Sequence, residues 1–262
     1  MSSSSSQQAK SVLVVGATGA TGRHVVAQLL RDANNHTVKV IVRSADKMRQ
    51  ILSQLGVPEN SRLQITEAVV LELTDAELLQ QTADVDVVVS CLGHTLDWHG
   101  IYGHPRELVT DATRRLTTAL TENNKKNAKK NAKFILMGSD GVAWQGNDDP
   151  RSFFERCLIS FIRYMIPPHR DNEGAAAYLL SQPQDDLEWV IVRPTDLVDE
   201  PPSSTYQLYA KPQGSLFGSG TATRSHVAQA MVKLMTTASL WNQWKFQMPV
   251  LIDDKDETKK AK

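Results

Sequence analysis

The chain is poor in the features that mark most specialised protein classes. Of 262 residues only two are cysteine, Cys91 and Cys157. That is too few for a disulfide framework and fits free thiols in a reducing compartment. There is no surplus of charge, with Lys+Arg and Asp+Glu equal at 29 each. Without a global basic field, neither nucleic acid nor a membrane surface is expected as a partner. No run of about 18 apolar residues occurs, so no transmembrane helix is expected. The tract Met1–Gln8 is serine and glutamine, without an apolar core or an arginine. It makes a poor signal or transit peptide, and a cytoplasmic location is the expectation.

What is present is an ordinary globular composition, 41% hydrophobic and 22% charged. A domain over residues 11–252 is expected, flanked by solvated tails at 1–10 and at the lysine-rich 253–262. Ser11–Val15 is a short β-branched run ending in glycine, the pattern of a strand buried on both faces. Arg23–Arg31 then carries Val25, Val26, Leu29 and Leu30 at helical spacing. Val38–Val42 reads as a second strand, and a helix over 45–55 is stopped by Gly56 and Pro58. The alternation goes on: a strand within 62–73, a helix over 75–81 and a strand over 86–90. A long amphipathic helix over 106–122 follows, and strands over 134–137 and 189–192. Asn123–Lys133 reads as a solvated extension of that long helix and its loop. A helix over 224–235 and an apolar segment over 246–252 are expected to form a small substrate-side subdomain.

Strands alternating with helices imply parallel pairing with helices on both faces. The expected fold class is therefore α/β: a doubly wound parallel sheet of the Rossmann type in a single domain.

At the first strand–helix junction stands Gly16-Ala17-Thr18-Gly19-Ala20-Thr21-Gly22. Glycines at this spacing let the backbone turn tightly and approach a ligand without a Cβ clash. The helix behind them offers unpaired N–H groups and the positive end of its dipole. Thr18 and Thr21 add hydroxyls. The position between a strand and a helix is what gives the motif weight, and it points to a dinucleotide pyrophosphate. At the end of the second strand a carboxylate would accept from a ribose 2′-OH and repel a 2′-phosphate. That position holds Arg43-Ser44 instead, with Lys47 one turn on. A guanidinium pairs with phosphate in a bidentate manner, so NADP(H) is expected over NAD(H).

The glycine turn, Val42-Arg43-Ser44, Val88-Val89-Ser90-Cys91-Leu92-Gly93 and Val192-Arg193-Pro194 occur in that order. Together they resemble the atypical short-chain dehydrogenase/reductase superfamily, in the NAD(P)H-binding branch that includes NmrA-like regulators and biliverdin reductase B-like flavin reductases. The resemblance covers about residues 11–235. It implies that Thr18–Thr21 wraps the pyrophosphate and that Glu72 and Leu73 lie near the adenine. It also implies that Cys91, Leu92 and Gly93 border the nicotinamide-side ribose, that Gly138 and Ser139 face the nicotinamide, and that Pro194, Thr195 and Leu197 contact its carboxamide end.

One departure matters. Many such enzymes use a Tyr-x-x-x-Lys pair for proton transfer, and none of the five tyrosines here has lysine four positions on. Ser139 and His169 are the substitute candidates, Ser139 to hold a substrate carbonyl and His169 to donate the proton. Their plainer readings are a loop-capping serine and part of a helix start. Asp171 and Asn172 read first as helix caps. The stretch Gly93–Pro105 carries His94, Trp98 and Tyr102, expected to line a substrate pocket if they are not simply packed in a loop. His94, His99 and His104 lie five apart, a spacing that does not converge on a metal, and no metal is expected. Cys91 reads better as a small buried residue beside the cofactor than as a nucleophile.

Two functions lead on sequence, with isomerase or epimerase chemistry on a sugar nucleotide a weaker third because such relatives usually keep the tyrosine. One is an NADP(H)-dependent oxidoreductase acting on a small molecule without the tyrosine–lysine pair, as a monomer or homodimer. The other is a non-catalytic NAD(P)-binding redox sensor or assembly factor.

Overall fold

The computed structural model describes residues 9–94, 105–127, 132–142, 167–199, 205–213 and 220–254. Eight strands form one sheet in the order β3-β2-β1-β4-β5-β6-β10-β8. Its first half holds β1 (Ser11–Val15), β2 (Thr37–Val42), β3 (Leu63–Glu67) and β4 (Val87–Ser90). Its second half holds β5 (Ala132–Met137), β6 (Leu187–Pro194), β8 (Tyr206–Tyr209) and β10 (Val250–Asp253). All neighbours run parallel except β8, which is antiparallel to β10. A separate parallel pair joins β7 (Asp196–Val198) to β9 (Thr221–Thr223).

The strands are apolar on both faces because both faces are covered. Val12 and Val14 of β1 point into one core with α1 (Gly22–Arg31), α2 (Ala45–Gln54), α6 (Arg224–Thr236) and α7 (Ala238–Trp244). Leu13 and Val15 point into the other, with α3 (Asp75–Thr82), α4 (Leu108–Asn127) and α5 (Pro167–Leu180). This is the period-2 alternation of a strand sandwiched between helix layers. The expected doubly wound sheet is thus present.

Four expectations change in detail. The long helix starts at Leu108 and runs on to Asn127. Asn123 and Asn124, read as solvated, are buried; Asn123 Nδ2 donates to the Leu79 carbonyl and Thr82 Oγ1, each at 2.8 Å, so the polar stretch locks α4 onto α3. The expected C-terminal subdomain is continuous with the main sheet, which β10 and β8 extend. Asp253, assigned to a tail, closes β10 as a buried acceptor for Thr223 N–H and the His226 ring.

The sheet order reverses direction between β1 and β4. At such a switch point the crevice outside the carboxyl ends of the strands is where open α/β sheets bind ligands. The register brings Ile41, Val15, Ser90, Leu136 and Ile191 to one level. The residues just beyond that line form the crest described next.

Candidate cofactor and substrate site

Gly16 stands at the switch point with φ +73°. A Cβ there would lie 2.4 Å from the Cys91 carbonyl oxygen, so β1 and β4 approach this closely only through glycine. A Cβ on Gly22 would lie 2.2 Å from the Gly16 carbonyl oxygen, which seats α1 directly on the turn. Gly19 is exposed at the tip, its N–H donating to the Gly16 carbonyl at 2.9 Å. Thr18 and Ala20 flank it, half-buried; Thr21 is buried as the N-cap of α1.

The start of α1 has no side-chain cap and no acidic residue in its first turn. By contrast, α2 is capped by Ser44 and α3 by a reciprocal Thr74–Glu77 box. A ten-residue helix without a side-chain cap, aimed from a glycine turn into the crevice, keeps its amides for an outside anion. The residues present fit a dinucleotide pyrophosphate.

On one side of the turn lie β2 and β3. Arg43 is exposed and makes no hydrogen bond or ion pair with any described residue. Ser44 Oγ accepts from Lys47 N–H at 3.2 Å. The sequence gives β2 no terminal acid, but the fold supplies one from β3: Glu67 Oε2 accepts from Ala45 N–H at 2.6 Å. Sequence reasoning missed Glu67, because only the β2–β3 register sets it beside Val42.

The stretch that follows β3 carries the residues expected near the adenine. Chain after β3 continues through Ala68, whose N–H donates to the Val42 carbonyl at 2.8 Å, and exposed Val69. Glu72 is exposed five residues past the strand end, and Leu71 and Leu73 give their carbonyls to the Arg115 guanidinium of α4. Glu72 and Leu73 thus stand on the α3–α4 side, and Ala68 and Val69 follow directly on the strand end.

On the other side lie β4, β5 and β6. Cys91 meets the turn through its backbone alone. Its thiol is buried, 3.9 Å from Met231 Sδ, and burial pushes it up to about 12. Burial of this kind disfavours the reactive thiolate. Leu92 is half-buried and Gly93 exposed at the crest. His94, expected to face substrate, is turned inward, its Nε2 2.8 Å from Asp171 Oδ2. Trp98 and Tyr102 lie outside the described residues.

Asp171 is a cap, as its residue type suggests, but of another helix. It sits inside α5 and accepts from Val109 N–H at 2.7 Å and Thr110 N–H at 2.9 Å, closing the start of α4. Burial alone would push its carboxyl up. The bonds from His94, Thr110 and Val109 outweigh that and hold it below the usual carboxylate range. Asn172 stands within α5 and caps no start.

Beyond β5 the chain runs Gly138-Ser139-Asp140-Gly141-Val142. A Cβ on Gly141 would lie 2.9 Å from His169 Cε1 and 3.6 Å from Ser139 Oγ, so the fold brings the two candidates together around Gly141. Ser139 Oγ also accepts from Gly141 N–H at 3.3 Å, the loop-capping bond. His169 Nε2 is buried without a hydrogen-bond partner among the described residues, 3.5 Å from Glu173 Oε1. The loop is held from β6: Pro194 gives its carbonyl to Asp140 N–H at 3.1 Å, and the buried Arg193 guanidinium donates to the Val142 carbonyl at 2.8 Å. Arg193 Nε also donates to the Met248 carbonyl at 2.7 Å. Sequence reasoning noticed Arg193 only as part of a motif; its role needs the contact across the sheet.

Comparison with solved structures agrees with the fold. The chain is similar to a wide-type short-chain dehydrogenase/reductase from Veillonella parvula solved with NADP (TM-score 0.66, 16% identity, 93% of this chain and 94% of that one). It is similar to a putative NAD-dependent epimerase/dehydratase from Bacillus halodurans (TM-score 0.63, 18% identity, 94% and 95%). It is also similar to Gre2 from Candida albicans in complex with NADPH (TM-score 0.56, 17% identity, 93% and 78%). At these identities the likeness is one of fold. No protein of curated function matches the sequence. The NAD(P)H-binding family model matches residues 16–238, from the first glycine of the turn to the start of α7. The chain therefore belongs to the NAD(P)H-binding family, the branch that its glycine turn suggested.

Proposed function

We propose that the chain is an NADP(H)-dependent oxidoreductase that reduces a small acceptor held over Ser139 and His169. The observation that carries this reading is their convergence around Gly141 at the carboxyl end of β5. That is the edge of the crevice next to the switch point.

The glycine turn and the start of α1 would hold the pyrophosphate, with Thr18, Gly19, Ala20, Thr21 and Gly22 closest. Arg43, without a partner among the described residues, would take the 2′-phosphate, and Ser44 would stand beside it. Ala68 and Val69 would border the adenine. Leu92, Gly93 and the Cys91 backbone would border the second ribose, with the Pro194 end of β6 beyond. When bound, the nicotinamide supplies or accepts hydride.

The remaining work falls to the chain. Ser139 Oγ would donate to an acceptor oxygen. His169 would hold the proton that oxygen needs, with Glu173 Oε1 3.5 Å from its ring nitrogen. Arg193 and Pro194 fix the loop that carries Ser139. Orientation of this kind supplies much of a hydride-transfer rate when solvent is kept out.

The test is NADPH oxidation against flavins, quinones and aldehydes. Turnover is expected with at least one class, and His169→Asn is expected to lower kcat about 10²-fold with cofactor affinity unchanged. Tight NADPH binding without oxidation of NADPH by any acceptor class would overturn the enzyme reading. It would leave the redox-sensor reading that the absent tyrosine–lysine pair allows.

A further inference from the structure

Glu67 is the last residue of β3, and its carboxylate crosses to the start of α2, where Oε2 accepts from Ala45 N–H at 2.6 Å. Ser44 caps the same helix end. Arg43, one residue before that cap, is an exposed cation with no partner among the described residues. The amino end of α2 thus carries an open guanidinium beside an amide already taken by a carboxylate from the neighbouring strand. A phosphate drawn to Arg43 meets that helix end too, and a helix N-terminus favours any anion that reaches it. Two anions then compete for one set of donors, and they repel each other at close range.

Resting on the NADP(H) reading above, we propose that Glu67 is a specificity-determining residue of the cofactor site. Its carboxylate competes with a ribose 2′-phosphate for the amino end of α2, weakens NADP(H) relative to NAD(H), and narrows the preference that Arg43 creates. Arg43 and Glu67 form an opposed pair: one residue attracts the 2′-phosphate and the other limits how tightly it is held.

Glu67→Gln tests this with little structural cost, because the amide oxygen can still accept from Ala45 N–H while the charge is gone. Affinities are measured by titration for NADPH, NADH, adenosine 2′,5′-bisphosphate and AMP, on wild type, Glu67→Gln and Arg43→Ala. Removing one unfavourable charge pair at a solvated site is expected to tighten NADPH and the bisphosphate about fivefold, with NADH and AMP unchanged. The gain is expected to shrink at high salt. Unchanged or weaker binding of both 2′-phosphate ligands in Glu67→Gln would overturn the proposal. So would weaker NADH binding with NADPH unchanged, which would assign the carboxylate to the ribose hydroxyl. Arg43→Ala separates the two layers. If it abolishes an NADPH preference, the parent reading stands whatever Glu67→Gln does. If wild type prefers NADH and Arg43→Ala changes nothing, the parent reading falls and takes the proposal with it.

Discussion

Replacing Asp171 by alanine should cost the fold more than any exposed substitution, and the structure says roughly how much. The carboxylate accepts from Val109 N–H, Thr110 N–H and the His94 ring, all within 2.9 Å, and it is buried. Alanine leaves three donors without a partner in a space closed by α4 and α5. A buried donor left unpaired costs about 1–3 kcal/mol, so the three together give about 3–6 kcal/mol once water reaches part of the gap. Against a total stability of about 5–15 kcal/mol this is a large share. At about 2–4 °C per kcal/mol for a domain of this size, Tm should fall by about 6–24 °C. Asp171→Asn should lose about half as much, since one oxygen still accepts while the new NH2 faces another donor. His94→Ala and Asp171→Ala should be non-additive, because they share one bond. The carboxyl is depressed in the fold, so its contribution is present above about pH 4, the unfolded value, and is lost as pH falls through the folded value. Thermal melts by circular dichroism between pH 3 and 7 read all of this. A Tm for Asp171→Ala within 2 °C of wild type at pH 7 would refute the reasoning.

Further predictions concern other parts of the molecule. Arg193→Met removes two buried bonds to the Val142 and Met248 carbonyls and should cost on the order of 3 kcal/mol in urea unfolding; an unchanged midpoint would deny that Arg193 holds the 138–142 loop. Cys91, pushed up to about 12 by burial, should resist iodoacetamide in the folded protein at pH 8 and react on unfolding, read by mass spectrometry of the peptide that carries it; rapid native labelling would contradict its placement. His24 and His36 are both held below the usual imidazole value, chiefly by burial, so the unfolded chain takes up protons first. Stability should be full above about pH 6.5 and fall as pH drops toward 5. Replacing His36 by glutamine should flatten part of that slope, and a slope unchanged in this variant would remove His36 from the account.

The elements legible in the sequence were those whose evidence is local. The β-branched runs, the 3.6-residue spacing of Val25, Val26, Leu29 and Leu30, and the glycines at 16, 19 and 22 each specify structure within a few residues. What was not legible depends on register and packing. Asp171 looks like the cap of its own helix, and only the α4–α5 contact shows that it caps α4. Asn123 looks solvated until α3 is laid against it. Glu67 carries no signal in the chain, since its meaning comes from the β2–β3 pairing that sets it beside Val42. The same pairing ends β3 at Glu67 and puts Ala68 and Val69 directly after it, ahead of the Glu72 and Leu73 that the family resemblance implied. Ser139 and His169 lie thirty residues apart, and the structure adds that they meet at Gly141.

The central claim is that the Gly16–Gly22 turn holds a nicotinamide dinucleotide whose 2′-phosphate is read by Arg43. The most direct test is calorimetric titration of NADPH and NADH into wild type and Arg43→Ala. The account predicts that wild type binds both and prefers NADPH, and that Arg43→Ala loses the preference while keeping NADH affinity. A wild type that prefers NADH, or an Arg43→Ala variant that keeps the full NADPH preference, would contradict it.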